Sequence, residues 1–199
     1  MLKRAFDIFF AGGALLVLCP LLGVMALWVK LDSRGPVLFR QVRVGRHGRE
    51  FHIYKFRTMQ MDAEQRGPQI TVGADARVTR SGAWLRKYKV DEFPQFFNVV
   101  LGDMSVVGPR PEVPRYVAMY APTTREAVLS VRPGITDLAS IEYLDESRLL
   151  GQSADPEKTY VEQVMPAKLV FCERYVKERS FGGDMDIIRR SFLAAFSRR

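Results

Sequence analysis

The chain has 199 residues, with 30 Lys and Arg against 22 Asp and Glu, and a formal net charge of +8 at pH 7. Hydrophobic residues make up 47% and charged residues 26%, which is typical of a folded protein and excludes a disordered tail or a collagen-like repeat. The two cysteines, Cys19 and Cys172, are too few for a disulfide framework or a four-cysteine zinc site, and they favour a reducing compartment.

The basic character is concentrated at the N-terminal end. Residues 1–60 contain ten Lys or Arg against three acidic residues, a net charge of +7, whereas the other 139 residues have a net charge of +1. A basic end of this kind meets either nucleic acid or an anionic membrane surface, and charge alone does not decide between them.

Residues 8–29 form an uncharged run of 22 residues, which as a helix covers about 33 Å, roughly the thickness of a bilayer core. A buried core helix is the soluble alternative, but covering a helix that is apolar on every side would consume most of so small a domain. No small-residue cleavage site of the A-x-A type ends the run, so we expect it to be retained.

Two membrane topologies are open, a full span or a re-entrant helix that returns to the same face. Pro20 lies in the middle of the run and favours a bend near Cys19-Pro20, although prolines also kink true spans. Cations flank both ends of the run, and positive residues prefer the cytoplasmic side. We therefore favour a re-entrant membrane helix over residues 1–30 and a cytosolic, membrane-surface domain over residues 31–199.

Beyond the apolar run, the pattern predicts one mainly helical domain with a β-hairpin. The hairpin is predicted from β-branched and aromatic runs at residues 37–44 and 51–56, with a turn at residues 45–49. Residues 61–77 are polar and predict a mobile loop. Helical periodicity covers residues 81–89, 92–101, 115–119 and beyond, and 160–178.

Residues 184–199 predict a basic amphipathic helix. Its apolar residues recur at helical spacing: Ile187, Ile188, Phe192, Ala195 and Phe196. Such a helix either lies in the headgroup plane of a membrane or is an ordinary surface helix that covers the core. The predicted fold class is thus α+β: a mainly helical single domain with a β-hairpin, an N-terminal re-entrant membrane helix and amphipathic interfacial helices.

The adjacent carboxylates Asp91 and Glu92 are the residues most indicative of chemistry. The chain contains no P-loop, no GxGxxG motif and no HExxH motif. An acidic pair is often only a solvated helix start that favours the helix dipole. The nearby Arg86 and Arg110 favour a second interpretation, in which carboxylates hold Mg²⁺ and guanidinium groups grip the oxygens of a diphosphate.

A series of short motifs follows in order along the chain: Phe6-Asp7, KFRTM at 55–59, VDEFPQ at 90–95, Asn98-Val99, GDMS at 102–105, VGPRP at 107–111 and RPGIT at 132–136. With these motifs the chain closely resembles the small bacterial sugar transferases, the monotopic phosphoglycosyl transferases. The resemblance covers roughly residues 3–188.

The resemblance implies transfer of a phosphosugar from a UDP-sugar to polyprenol (undecaprenyl) phosphate, with release of UMP, at the cytoplasmic face of a bacterial inner membrane. It implies that Asp91 and Glu92 are catalytic and bind Mg²⁺, and that Asp91 forms a phosphosugar-aspartyl intermediate. Glu92 either holds the metal or accepts a proton. The basic residues that the resemblance assigns to substrate binding are Lys55, Arg86, Arg110 and Arg132.

Two departures from the family pattern stand out. Cys19 takes the place of a Ser before the helix-breaking Pro20, and residues 137–150 differ from the usual continuation after RPGIT. We assign no contacts to that second segment. Because no further domain is attached, we expect the chain to be the minimal catalytic form.

Two rival functions remain open at this point. A membrane-tethered nucleic-acid-binding module would use the hairpin arginines, which are Arg40, Arg43, Arg46 and Arg49. A catalytically inactive scaffold would only anchor partners. We expect a nucleotide sugar, a polyprenol phosphate and the membrane as partners, expect no nucleic acid, and leave self-association open.

Overall fold

Helices form most of the described chain, and they surround two small sheets. The computed structural model describes residues 2–63, 75–142 and 146–197. The helices are α1 (Leu2–Asp32), α2 (Arg80–Lys87), α3 (Gln95–Leu101), α4 (Pro114–Val117), α5 (Pro122–Leu129), α6 (Leu138–Glu142), α7 (Glu146–Gly151), α8 (Pro156–Thr159), α9 (Met165–Glu178) and α10 (Phe181–Ser197). The strands are β1 (Leu38–Val44), β2 (Glu50–Phe56), β3 (Ser105–Val107) and β4 (Gly134–Thr136). The predicted α+β, mainly helical class is confirmed.

The apolar run lies in α1, which is long and apolar enough to cross a membrane. Its buried residues, Asp7, Ala11, Met25 and Val29, recur at helical spacing and form one stripe against the rest of the chain. The other faces are exposed: only 11% of the most apolar window is buried. Pro20 lies inside this continuous helix, so no break in the helix is seen at Cys19-Pro20. The re-entrant course therefore stays a prediction.

The predicted hairpin is confirmed. β1 and β2 pair antiparallel from Leu38 opposite Phe56 to Val44 opposite Glu50, around a 3-10 turn at Arg46–Gly48. Alternation along β2 turns Phe51 and Ile53 into the main core, where they meet α3, β3, α9 and α10. The hairpin thereby fixes β2 against α3, on the side where the acidic pair lies.

A second sheet, not predicted from the sequence, joins the VGPRP and RPGIT motifs. β3 and β4 pair in parallel, with Ser105 opposite Gly134 and Val107 opposite Thr136. A Cβ atom at Gly134 would lie 2.1 Å from the backbone nitrogen of Gly108, so only glycine allows this approach. Each strand has three residues, too few for the sequence pattern to distinguish from a loop.

Three predicted segments differ from the structure or lie outside it. The helix predicted over residues 92–101 begins only at Gln95, because the chain first makes a separate 3-10 turn and Pro94 occupies the N-cap position. The helix predicted from residue 115 is two helices, α4 and α5, because Pro122 begins a new helix and disfavours helical geometry in the residue before it. Of the predicted loop at 61–77, residues 64–74 lie outside the described residues.

The predicted C-terminal amphipathic helix is α10. Some of its apolar residues lie in the core and others lie at the surface. Ile187 is buried and Ile188 packs against the same cluster, whereas Phe192 is 64% exposed. The side chains of Ala195 and Phe196 lie outside the described part. The inner half of the helix thus covers the core, and the interfacial role remains a prediction for the outer half.

Candidate active site

Asp91 and Glu92 lie in one 3-10 turn, Val90–Glu92, between α2 and α3. Lys89 precedes the turn with a φ of 54°, a left-handed conformation that costs energy for a residue with a Cβ. Val90 anchors the turn in a buried cluster whose other members are Met25, Val29, Phe56 and Leu85. The turn that carries the acidic pair is therefore held in the same buried cluster as the C-terminal half of α1.

Glu92 is clamped between two cations from distant segments. Its Oε1 atom accepts a hydrogen bond from Lys55 Nζ at 2.9 Å, and its Oε2 atom accepts one from Arg110 Nη1 at 3.2 Å. Arg110 Nη2 also donates to Oε1. The side chains of Lys55 and Glu92 are less than one-fifth exposed, so little water screens these charges.

The clamp keeps Glu92 ionised. Burial opposes its charged form, but Arg110 and Lys55 hold the pKa of Glu92 well below its usual range. In return, Glu92 raises the pKa of Arg110. Burial lowers the pKa of Lys55, an effect that Glu92 opposes. A carboxylate with so low a pKa is a weak base near neutral pH.

The carboxylate of Asp91 has a different environment from that of Glu92. It is 9% exposed, and in the described residues its carboxylate takes part in no hydrogen bond or ion pair. Burial, and then repulsion from Glu92, raises the pKa of Asp91. A desolvated carboxylate without partners is poorly stabilised as an anion and is therefore available to react or to bind a cation.

Arg86, on α2, is a third cation near Asp91 and Glu92. Its Nε atom donates to Thr58 Oγ1 at 2.8 Å, and its charge favours the ionised form of Asp91. This approach requires Gly82, because a Cβ there would lie 2.1 Å from the carbonyl oxygen of Thr58. Sequence reasoning did not single out Gly82, although a glycine inside a helical pattern indicates close packing.

Arg132, the fourth basic residue predicted for the site, forms its hydrogen bond at the end of α3. Its Nε atom donates to the carbonyl oxygen of Gly102 at 2.8 Å, where α3 ends. Arg4 binds the carbonyl oxygens of Val99 and Val100 at the same helix end. Both arginines donate to carbonyl groups at the C-terminal end of α3, where backbone donors within the helix run out. A substrate contact of Arg132 stays a prediction.

Asn98 explains how Lys55 reaches the acidic turn. Its side chain is fully buried, accepts a hydrogen bond from the Tyr54 amide at 3.0 Å and donates one to the carbonyl oxygen of His52 at 2.8 Å. Because Asn98 belongs to α3, it ties β2 to the helix that follows the acidic turn. The Asn98-Val99 motif was recognised in the sequence, but this bridging role was not.

Two of the four hairpin arginines donate hydrogen bonds within the protein, and a third, Arg40, lies 5.3 Å from the centroid of the Tyr54 ring. Arg43 donates to Glu112 Oε1, to Gln41 Oε1 and to the carbonyl oxygen of Pro111. Arg46 donates to the carbonyl oxygen of Ser130 at 3.0 Å. These contacts show that both side chains hold the hairpin against neighbouring segments of the domain.

The two carboxylates of the turn are suited to hold one magnesium ion together with phosphate groups of a substrate. Every lone pair of Asp91 is free of hydrogen bonds in the described residues, and Glu92 Oε2 accepts a single one. Mg²⁺ in proteins is commonly held by one or two carboxylates, with substrate phosphates and water completing its octahedron. The described residues contain no cluster of three His, Cys, Asp or Glu side chains suited to a metal held by protein alone.

Comparison with known sequences assigns almost the whole chain to one family, the family that the sequence motifs resemble. Residues 1–198 match the sequence profile described as bacterial sugar transferase. A relative from Aeromonas hydrophila, named UDP-N-acetylgalactosamine-undecaprenyl-phosphate N-acetylgalactosaminephosphotransferase, is 39% identical over 206 residues, which cover all of this chain and 45% of the relative.

Two further relatives have other names. The exopolysaccharide production protein PSS of Rhizobium leguminosarum bv. phaseoli is 46% identical over 159 residues, covering 72% of this chain and 75% of the relative. The UDP-glucose:undecaprenyl-phosphate glucose-1-phosphate transferase of Escherichia coli K12 is 37% identical over 198 residues, covering 98% and 40%. This chain thus spans less than half of the Aeromonas and Escherichia relatives.

Proposed function

Because this chain belongs to the bacterial sugar transferase family, we propose that it is an enzyme that transfers a sugar phosphate from a UDP-sugar to undecaprenyl phosphate and releases UMP. The names of the Aeromonas and Escherichia relatives support this reaction. The observation that carries the proposal is the buried Asp91 carboxylate, free of hydrogen bonds in the described residues, beside a Glu92 clamped by two cations.

In the first step, an Asp91 carboxylate oxygen attacks the phosphorus atom that carries the sugar. The bond from this phosphorus to the bridging oxygen breaks, and UMP leaves with the electron pair. The product is a phosphosugar-aspartyl intermediate. Arg110 uses two of its five N–H groups on Glu92, so the other three can bind phosphate oxygens during this step.

In the second step, an oxygen of undecaprenyl phosphate attacks the same phosphorus and restores the Asp91 carboxylate. A phosphate monoester has a second pKa near 6, so the acceptor is mainly a dianion at pH 7 and needs no base. Glu92 is a poor base in any case because its pKa is lowered. We therefore assign Glu92 to holding Lys55 and Arg110 in place, and Glu92 would hold the metal together with Asp91.

Release of UMP tests the proposed reaction. We expect the full chain, mixed with a UDP-sugar and undecaprenyl phosphate in detergent or vesicles, to form UMP and a lipid-linked sugar diphosphate. UDP-N-acetylgalactosamine and UDP-glucose are the first donors to test, because the relatives' names contain them. Absence of UMP with every donor would favour the scaffold or the nucleic-acid-binding module.

The two ends of α1 support a re-entrant course, because both are fixed to the same domain. At the N-terminal end, buried Asp7 accepts hydrogen bonds from Ser105 Oγ at 2.8 Å and from the Val106 amide at 3.1 Å. At the C-terminal end, Asp32 accepts from the amide and hydroxyl of Ser81 at 2.9 and 2.8 Å. These contacts support the proposal that both ends of α1 lie on the same side of a bilayer.

We expect both ends of α1 to be cytoplasmic. A Leu2→Cys variant, in a Cys19→Ser, Cys172→Ala background, should resist a membrane-impermeant maleimide in intact cells and react after permeabilisation. Met61→Cys is the matched control, because residue 61 is similarly exposed and lies in the domain that we propose to be cytosolic. Labelling of residue 2 in intact cells, with residue 61 protected, would establish a full span.

We expect the reaction to depend on Mg²⁺ or Mn²⁺. A divalent ion held by Asp91 and Glu92 would neutralise charge on the diphosphate and on the departing UMP. Excess chelator should abolish UMP release, and added Mg²⁺ should restore it. Undiminished release in the chelator would remove the metal from the proposal without affecting the covalent step.

A further inference from the structure

Three aromatic side chains form a contiguous series on the surface next to the acidic turn, with edge-on and tilted ring contacts. Trp28 of α1 and Trp84 of α2 have ring centroids 5.5 Å apart, and Trp84 and Tyr88 are 4.6 Å apart. Their exposed fractions are 36%, 40% and 50%. We call Trp28, Trp84 and Tyr88 the aromatic ladder.

The ladder lies at the C-terminal end of the apolar run of α1, where charged residues begin. Trp28 is the second-last residue of that run, and Lys30 follows it. On α2, Ser81, Gly82 and Leu85 are buried, whereas Trp84 lies on another side of the helix and is 40% exposed. The Lys87 ammonium group lies 5.5 Å from the Tyr88 ring centroid.

We propose that the aromatic ladder inserts into the headgroup layer of a phospholipid bilayer and sets the depth of α2 in it. Trp and Tyr are enriched at membrane–water interfaces because their rings are apolar and their N–H and O–H groups reach water. The apolar, exposed faces of α1 continue into the ladder, and Lys87 and Lys30 lie where lipid phosphates would be. This inference rests on the proposed membrane location of α1.

The depth of the ladder in the membrane would also set the depth of the Asp91 carboxylate. Trp84 and Arg86 belong to the same eight-residue helix, and only Tyr88 and Lys89 separate that helix from the turn that carries Asp91. Fixing α2 at the headgroup layer therefore holds Asp91 at the depth of lipid phosphate groups. This is the depth at which the phosphate of a polyprenol phosphate lies.

A stacking platform for the uracil ring of the donor is the competing occupant. Exposed aromatic rings bind bases by stacking, and Lys87 could contact a phosphate. The position of Trp28 on α1 favours lipid, because a platform for a soluble base gains nothing from a membrane helix. The experiment below separates the two occupants.

Intrinsic fluorescence tests the ladder directly, because Trp28 and Trp84 are the two tryptophans of the chain. The full chain, as the Trp28→Phe and Trp84→Phe variants, is placed in phosphatidylcholine–phosphatidylglycerol vesicles. Part of the lipid is brominated on its acyl chains, either near the headgroup or near the methyl end. We expect the remaining tryptophan of each variant to be quenched, and more strongly by the bromines near the headgroup.

A third single-tryptophan protein serves as the matched control. Arg49→Trp, in a Trp28→Phe, Trp84→Phe background, places the reporter on the exposed hairpin turn, and its emission should not change with brominated lipid. Quenching of Trp28 without quenching of Trp84 would overturn the ladder while leaving a membrane-bound α1 and UMP release intact. Quenching of Trp84 by UDP but not by lipid would also overturn it, in favour of the base platform.

Discussion

Replacing Asp91 with Asn is expected to abolish transfer, with a loss in rate on the order of 10⁴-fold or more by comparison with removal of other covalent nucleophiles. An amide oxygen cannot form the acyl phosphate that the first step requires. The unchanged enzyme should release UMP in a burst before any acceptor is added, and the variant should release none. Mass spectrometry of quenched, digested enzyme should find the added phosphosugar on Asp91.

Folding of the Asp91→Asn variant is the control for this result. A raised pKa means that the folded state destabilises the ionised carboxylate, so stability is lost as the pH rises through that pKa. The variant carries no charge there, and we expect it to melt no lower than the parent at neutral pH. Added mass on Glu92 would reverse the two roles. Absence of both labelled protein and acceptor-free UMP would favour direct attack by the lipid phosphate.

Replacing Arg110 with Ala is expected to lower the rate by about 10²-fold or more, as loss of a single charge-stabilising donor does elsewhere. The variant loses the donors for phosphate oxygens and also one of the two cations that hold Glu92. UMP formation at saturating donor and acceptor measures the effect. The pKa of Glu92 should rise with the loss of Arg110, since Arg110 is its strongest charge partner.

Arg110→Lys and Arg49→Ala complete this test. Lys keeps the charge but not the planar pair of donors, so we expect Arg110→Lys to recover only part of the activity. Arg49 lies on the exposed hairpin turn, and Arg49→Ala removes the same type of side chain without touching Glu92. A loss below tenfold for Arg110→Ala would assign Arg110 to the structure of the proline-rich turn.

Local patterns in the sequence determined a large part of this protein. An uncharged run of 22 residues specifies a long apolar helix, and alternating β-branched and aromatic residues specify the hairpin, because both signals repeat over several turns or residue pairs. The acidic pair and its neighbouring motifs indicated where the chemistry lies. These features depend on residues close together in the chain.

Tertiary structure decided which side chains meet. Lys55 is 37 residues from Glu92 and Arg110 is 18, so their ion pairs arise only when the hairpin and the proline-rich turn pack against the acidic turn. The same packing buries Asp91 and leaves its carboxylate without hydrogen bonds in the described residues, which separates the pKa values of two adjacent carboxylates. It also takes Arg132 to the end of α3. The sequence determined the residue types of the site, but burial and charge contacts made across the fold gave Asp91 and Glu92 different chemistry.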